Sequence, residues 1–188
     1  MDIRSYKNEL RDFFAKKRNA LSSSEKSILD KKISDRLISM SVFKSSNQIL
    51  LYASTDEEIS TDSIFRYSLE IGKPCFFPKC YDHSKMIFFR VSSPEELICD
   101  SFNIKAPKNE TDIYTPKPSD IIIVPAMSYD KKGFRLGYGK GFYDRFLPEF
   151  MGTKIGLCYF DFISDSLPTG RFDMSVDIII TEKKYICL

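Results

Sequence analysis

The stretch Asp120-Ile121-Ile122-Ile123-Val124-Pro125 decides the fold class. Four β-branched apolar residues in a row, closed by proline, read as the central strand of a sheet covered on both faces. The chain then enters Gly133-Phe134-Arg135-Leu136-Gly137-Tyr138-Gly139-Lys140-Gly141, and beyond it the pattern predicts a helix over 141–150 and a strand at 154–159. A last strand is expected at 176–180, after a loop holding Pro168 and Gly170. Upstream, Gln48-Ile49-Leu50-Leu51-Tyr52-Ala53 is a second nearly continuous apolar run, and 60–70 reads as a helix stopped by Gly72. Cys75-Phe76-Phe77 reads as a strand ended by Pro78, and 86–91 as a less central one. Residues 100–119, polar and carrying Pro107, Pro116 and Pro118, read as a long surface excursion. Strand and helix thus alternate, which predicts a three-layer α/β/α fold with a mostly parallel sheet.

Two helices precede the sheet. Residues 2–19 place Ile3, Tyr6, Leu10, Phe13 and Phe14 on one stripe, with Arg4, Lys7, Arg11 and Arg18 on a second about a quarter turn away. Ser22 to Glu25 offers a capping box for a helix reaching about Met40, with Leu29, Ile33, Leu37 and Met40 inward. No repeat, low-complexity tract or linker divides the 188 residues, so 1–188 is read as one domain.

Composition excludes several classes. Twenty-eight Lys plus Arg against 26 Asp plus Glu leave a formal charge of +2, too little for a general nucleic-acid binder. An RNA-binding module would rest on the basic first helix and the aromatic content alone. No stretch approaches the roughly 18 apolar residues of a membrane helix, and the first residues lack the apolar core of a signal peptide. Five cysteines, at 75, 80, 99, 158 and 187, form no CxxC pair, and with His83 as the one histidine a zinc site lacks ligands. Reduced thiols in a cytoplasmic protein are the expectation. His83 lies in the polar turn Tyr81-Asp82-His83-Ser84-Lys85, which argues against a histidine-dependent hydrolase.

Chemistry concentrates in the loop. Four of the eight glycines fall within residues 133–141, interleaved with Arg135 and Lys140 and followed by Asp144 and Arg145. Glycines that let backbone approach a ligand, cations, and N–H groups at a helix start make an anion site suited to phosphates. The competing reading is a tight turn with solvated charges. A Walker loop fails because Phe134 replaces its first glycine and Gly141 follows the lysine; the dinucleotide fingerprint fails because Phe142 replaces its last glycine.

Val124-Pro125-Ala126-Met127-Ser128-Tyr129-Asp130, followed by Gly133-x-Arg135-Leu136-Gly137-x-Gly139-Lys140-Gly141-Phe142-Tyr143-Asp144-Arg145, resembles the signature of 5-formyltetrahydrofolate cyclo-ligases. The resemblance runs from the basic first helix to Leu167-Pro168-x4-Asp173. It implies ATP- and Mg-dependent conversion of 5-formyltetrahydrofolate to 5,10-methenyltetrahydrofolate, with release of ADP and phosphate, on a fold similar to sugar-phosphate isomerases and CoA transferases. In the implied mechanism the formyl oxygen attacks the γ-phosphate and the neighbouring folate nitrogen closes on the phosphorylated imidate, with Lys140 and Arg135 neutralising charge.

The resemblance further implies ATP binding by Lys7, Arg11, Arg135, Leu136, Gly137, Tyr138, Gly139, Lys140, Gly141, Phe142 and Tyr143. It implies folate binding by Ala53, Glu58, Tyr138, Gly139, Lys140, Gly141 and Phe142, with Glu57 one register away as the alternative to Glu58. Asp144 and Asp173 match the metal ligands, whose competing readings are a charge at a helix N-terminus and a loop turn. Phe142 stands where tyrosine is common and Tyr138 where some relatives carry arginine. Asp120 and Asp177 begin strands and are read as structural. The expected partners are the two small molecules, with no nucleic acid or membrane, and the expected state is a monomer. A non-catalytic folate- or nucleotide-binding relative is the second reading.

Overall fold

A computed structural model describes residues 2–81, 85–99 and 104–188. In chain order the helices and strands are α1 (Ile3–Asn19), α2 (Ser23–Ser39), α3 (Ser41–Ser45), β1 (Ile49–Leu50), α4 (Asp62–Glu70), β2 (Cys75–Tyr81), β3 (Lys85–Val91), β4 (Leu97–Cys99) and β5 (Lys105–Pro107). They continue with β6 (Ile121–Val124), β7 (Ser128–Asp130), β8 (Arg135–Leu136), α5 (Phe142–Phe146), β9 (Thr153–Leu157), β10 (Ile163–Ser164), β11 (Ile178–Ile180) and β12 (Tyr185–Cys187). The turn containing His83 lies outside the described residues.

The main sheet runs β12-β11-β9-β6-β1-β2-β3, with parallel pairing from β11 to β2 and antiparallel strands at both edges. β6 sits at its middle, all four residues buried, as its unbroken β-branched run requires. Alternation along β2 defines the two covering layers. Phe77 packs edge-on against Phe65 of α4, at 4.8 Å between ring centroids. Phe76 points to the opposite face, where it meets Tyr114 at 5.3 Å. On that face Phe88 of β3 meets Phe146 of α5 at 4.8 Å. A mostly parallel sheet between helical layers is therefore the fold.

Several elements differ from the sequence reading. β2 continues through Pro78, which pairs with Phe88. The Phe88 carbonyl turns away from β2 to accept from Tyr114 N at 2.9 Å, so this is a non-hydrogen-bonded pair and the proline forfeits no ladder bond to β3. The central strand does not enter the glycine loop directly, because a β7–β8 hairpin intervenes and joins β10 in a second, three-stranded sheet. Buried Asp130 builds the hairpin turn, accepting from Lys132 N and Phe134 N at 2.9 and 3.0 Å. The helix expected over 141–150 is one turn of α-helix followed by a 3₁₀ turn, since Pro148 cannot donate within a helix. The surface excursion contains β5, paired with β4. β12 had no sequence counterpart.

The helices at the start follow their reading more closely. The capping box is present: Glu25 N donates to Ser22 Oγ and Ser22 N to the Glu25 carboxylate, at 3.2 and 3.0 Å. Ile33 and Leu37 are fully buried. On α1 the apolar stripe is mostly outside the core: Ile3, Tyr6 and Phe13 are exposed, while Phe14 is buried. The charged stripe is the one turned towards the sheet end, as described below. Asp120 and Asp177 are structural, as expected: Asp120 takes hydrogen bonds from Gln48, Tyr114 and Lys117 N, and Asp177 from Lys154 N. No helix among the described residues is long and apolar enough to cross a membrane.

Candidate active site

Contacts join Lys7 to Asp173, Arg11 to Gly137, Arg135 to Asp144, and Asp144 to the Met174 N–H beside Asp173. They lie beyond the carboxyl ends of the central strands, where open α/β sheets place their ligands. The segments that meet there are α1, the acidic turn after β1, the glycine loop after β8 and the loop at residues 170–174.

α1 supplies the long reach. Lys7 Nζ lies 2.5 Å from Asp173 Oδ2, which also accepts from Gly170 N at 2.7 Å. One turn on, Arg11 Nε donates to the Gly137 carbonyl at 2.8 Å and Nη1 to Asn8 Oδ1 at 2.6 Å. Burial and nearby Arg4 lower the Arg11 pKa, against an opposing pull from Asp173. A Cβ on Gly139 would come within 3.3 Å of the Arg11 guanidinium carbon, and this residue has φ +88°. The left-handed backbone is what favours glycine there, since the arginine tip can shift by a few tenths of an ångström. Gly141, at φ +69°, turns the chain into α5. The backbone N–H groups of Gly139, Lys140, Gly141 and Phe142 donate to no described residue, so they remain available to an anion.

The cations of the loop differ sharply in environment. Arg135 is 8% exposed, with Nη2 2.7 Å from Asp144 Oδ1 and Nη1 3.0 Å from the Met174 carbonyl. Lys140 is exposed, and its ammonium has no hydrogen-bond partner among the described residues. Arg145 packs over the half-buried Phe142 ring, 5.2 Å from its centroid, and donates to the Lys140 carbonyl at 3.1 Å. The Leu136 side chain is fully buried, which leaves only its backbone for ligand contact.

The two glutamates of the acidic turn sit in different surroundings. Glu58 folds back so that its carboxylate accepts from Thr55 N and Oγ1 at 3.0 and 3.2 Å. Burial first, and then the Glu58 charge, push the Tyr52, Tyr138 and Tyr143 hydroxyls up from the ordinary tyrosine pKa, which holds them neutral. Glu57 is exposed and contributes its carbonyl instead, to Arg18. The Tyr143 hydroxyl is buried without a partner among the described residues. Ala53, half-buried three residues beyond β1, lines a cavity of about 70 Å³ with Phe65, Phe77, Leu97 and Lys105.

Asp144 and Asp173 come together through Met174, whose N–H lies 3.3 Å from Asp144 Oδ1. Asp144 therefore holds Arg135 and the loop carrying Asp173, which is more than a helix-terminal charge. No group of three or more His, Cys, Asp or Glu able to hold a metal occurs among the described residues. Two carboxylates suffice for Mg²⁺ when nucleotide oxygens and water complete its shell, and each aspartate keeps a second oxygen beyond those engaged here. The donor set fits such an ion.

Sequence reasoning missed Arg18. It shares the basic stripe with Lys7 and Arg11, but the stripe does not reveal that this member is buried.

The family model described as 5-formyltetrahydrofolate cyclo-ligase matches residues 3–182. The chain belongs to that family. A probable 5-formyltetrahydrofolate cyclo-ligase of Caenorhabditis elegans is 29% identical, over 98% of this chain and 96% of the relative. The solution structure of Aquifex aeolicus 5,10-methenyltetrahydrofolate synthetase superposes with a TM-score of 0.86 at 35% identity, covering 97% of this chain and 92% of that one. The Mycoplasma pneumoniae 5,10-methenyltetrahydrofolate synthetase gives 0.75 at 29% identity, covering 94% and 98%. The cyclo-ligase match thus spans every segment of the site.

Proposed function

We propose that this chain is an ATP-dependent 5-formyltetrahydrofolate cyclo-ligase that produces 5,10-methenyltetrahydrofolate, ADP and phosphate. The observation that carries the reading is the meeting of Lys7, Arg11 and Asp173 at the glycine loop, from opposite ends of the chain. The formyl group is a poor electrophile, so its oxygen must become a leaving group before the ring can close. Transfer of the γ-phosphoryl group to that oxygen depends on positioning and charge neutralisation. The free N–H groups of residues 139–142 cradle the phosphates, and solvent-facing Lys140 neutralises the transferring group. Lys7 and Arg11 hold the rest of the triphosphate, while Arg135, already engaged, orients Asp144.

On the folate side Glu58, Ala53, Tyr138 and Phe142 hold the pterin, so that the neighbouring folate nitrogen, on the bridge outside the pterin, attacks the phosphorylated imidate carbon; that nitrogen loses its proton to solvent and phosphate departs with the C–O bonding pair. Asp144 and Asp173 are assigned to Mg²⁺, which supplies charge neutralisation on the nucleotide. Every group assigned comes from one chain of a single domain, so a monomer suffices. Buried cysteines outside any disulfide, Cys75 and Cys158, suit a cytoplasmic setting.

The experiment is incubation with 5-formyltetrahydrofolate, ATP and Mg²⁺ while following methenyl absorbance. Product formation that requires all three is expected. No product with any divalent metal would favour a non-catalytic binder.

A further inference from the structure

Among groups the proposed reaction does not use, Arg18 has the most unusual surroundings. It lies near the end of α1, 8% exposed, and all four of its hydrogen bonds go to uncharged acceptors. Nη1 reaches the Glu57 carbonyl at 2.7 Å and the Tyr138 hydroxyl at 3.3 Å. Nη2 reaches the carbonyls of Ala126 and Met127 at 2.6 and 3.3 Å. Nε is buried without a partner among the described residues. The Phe162 ring, 6.0 Å from the guanidinium carbon, adds a weak attraction.

A buried cation with an orphan N–H is expensive, and a well-packed apolar side chain would avoid that cost. What its acceptors share is the site. Glu57 precedes Glu58 in the acidic turn, Tyr138 belongs to the glycine loop, and Ala126-Met127 is the exit from the central strand. One planar fork therefore fixes the separation of two loops that approach from opposite halves of the chain. A lysine cannot do this, because a single nitrogen does not span both sets of acceptors.

We infer that Arg18 is a positioning residue for the folate half of the site, holding Glu58 and Tyr138 at the spacing the pterin requires. The inference rests on the assignment of those two residues to folate made above. Arg18 lies two helical turns beyond Arg11, about 10 Å along the axis, so its effect should separate from the nucleotide contacts of Lys7 and Arg11.

Arg18→Lys is the direct test, with Michaelis constants for both substrates and calorimetric binding of 5-formyltetrahydrofolate without ATP. With circular dichroism matching the wild type, the folate KM and Kd should rise about tenfold or more while the ATP KM stays within about twofold, the split expected of lost orientation on one side. Arg18→Gln, which keeps an amide donor and buries no charge, is read by the same ratio if the lysine variant does not fold. Unchanged folate affinity, or folate and ATP constants rising together, overturns the proposal, as does failure of both variants to fold. Wild-type turnover tests the function reading by itself, so an active wild type with an Arg18→Lys variant of normal folate affinity sinks only this inference. If the wild type is inactive, calorimetry on wild type and variant still decides it, and absence of folate binding to both overturns it.

Discussion

The Lys7 ammonium lies 2.5 Å from Asp173 Oδ2, across 166 residues of sequence, and both side chains are mostly buried. A cation assigned to ATP and a carboxylate assigned to Mg²⁺ thus pair with one another. Lys7→Ala leaves Asp173, which is partly exposed, with its Gly170 N–H bond, so the fold should lose about 1–2 kcal/mol, less than the cost of breaking a fully buried pair. The ATP KM should rise about tenfold, the usual scale for losing one charge-assisted phosphate contact. Parallel kinetics with 5-formyltetrahydrofolate, whose KM should barely move, checks that the loss is on the nucleotide side.

The second pair behaves differently, because its cation cannot reach solvent. Asp144→Asn leaves the Arg135 guanidinium, 8% exposed, with the Met174 carbonyl and no countercharge. Stability should fall by about 2 kcal/mol, below the full cost of breaking a buried pair because Asp144 is itself a quarter exposed. The Mg²⁺ concentration for half activity should also rise. Thermal melting and magnesium titration of the same variant separate the two effects; a normal melt would reduce Asp144 to a metal ligand alone.

These pairs show which parts of the molecule were legible in the sequence. Residues 121–124 were read correctly because a strand buried on both faces needs an unbroken apolar run, a pattern the side chains themselves carry. Pro78 misled because the cost of a proline depends on which way its missing N–H would point, a matter of pairing phase. The glycines after β6 drew attention to a ligand loop, and the hairpin hidden ahead of it depended on one buried aspartate, Asp130. Lys7, Arg11, Asp144 and Asp173 were named through family resemblance; spacing could not have joined residues 7 and 173. Arg18 escaped both routes, since a buried arginine and a solvated one look alike in a basic stripe.

Glu58 is tied to Thr55 at both the backbone N–H and the hydroxyl. Glu58→Gln keeps the volume and one acceptor oxygen but loses the charge. The folate KM should rise about tenfold or more, as for a lost charged hydrogen bond, with ATP affected little. Glu57→Gln, at an exposed position, should match the wild type. A reversed result for the two variants would return the folate contact to Glu57.

Two thiols predict how the fold responds to alkali. Burial pushes Cys75 and Cys158 up to about 12 from an ordinary 9.0. Above pH 9 the unfolded chain loses these protons while the folded chain keeps them, so this contribution to stability is complete below pH 9 and is lost as pH rises towards 12. Urea midpoints should therefore fall between neutral pH and about pH 10.5, and the fall should be shallower in a Cys75→Ala/Cys158→Ala variant compared at equal pH. Exposed Cys99 and Cys187 should react with iodoacetamide in the folded protein, whereas Cys75 and Cys158 should react only on unfolding.

Lys140 gives the sharpest division between folding and chemistry. Its side chain is exposed, makes no hydrogen bond among the described residues and stands between two left-handed glycines that its removal does not disturb. Lys140→Ala should leave the melting temperature and circular dichroism unchanged. Turnover should fall by about two decades or more, the scale seen when a single stabiliser of transition-state charge is removed. Binding of ATP, measured by calorimetry without folate, should weaken much less than turnover, because a group that acts on the transferring phosphoryl charge matters most as that charge moves. Turnover near normal would shift the neutralising role to the backbone N–H groups of residues 139–142. An equal loss in binding and turnover would make Lys140 an ordinary phosphate contact.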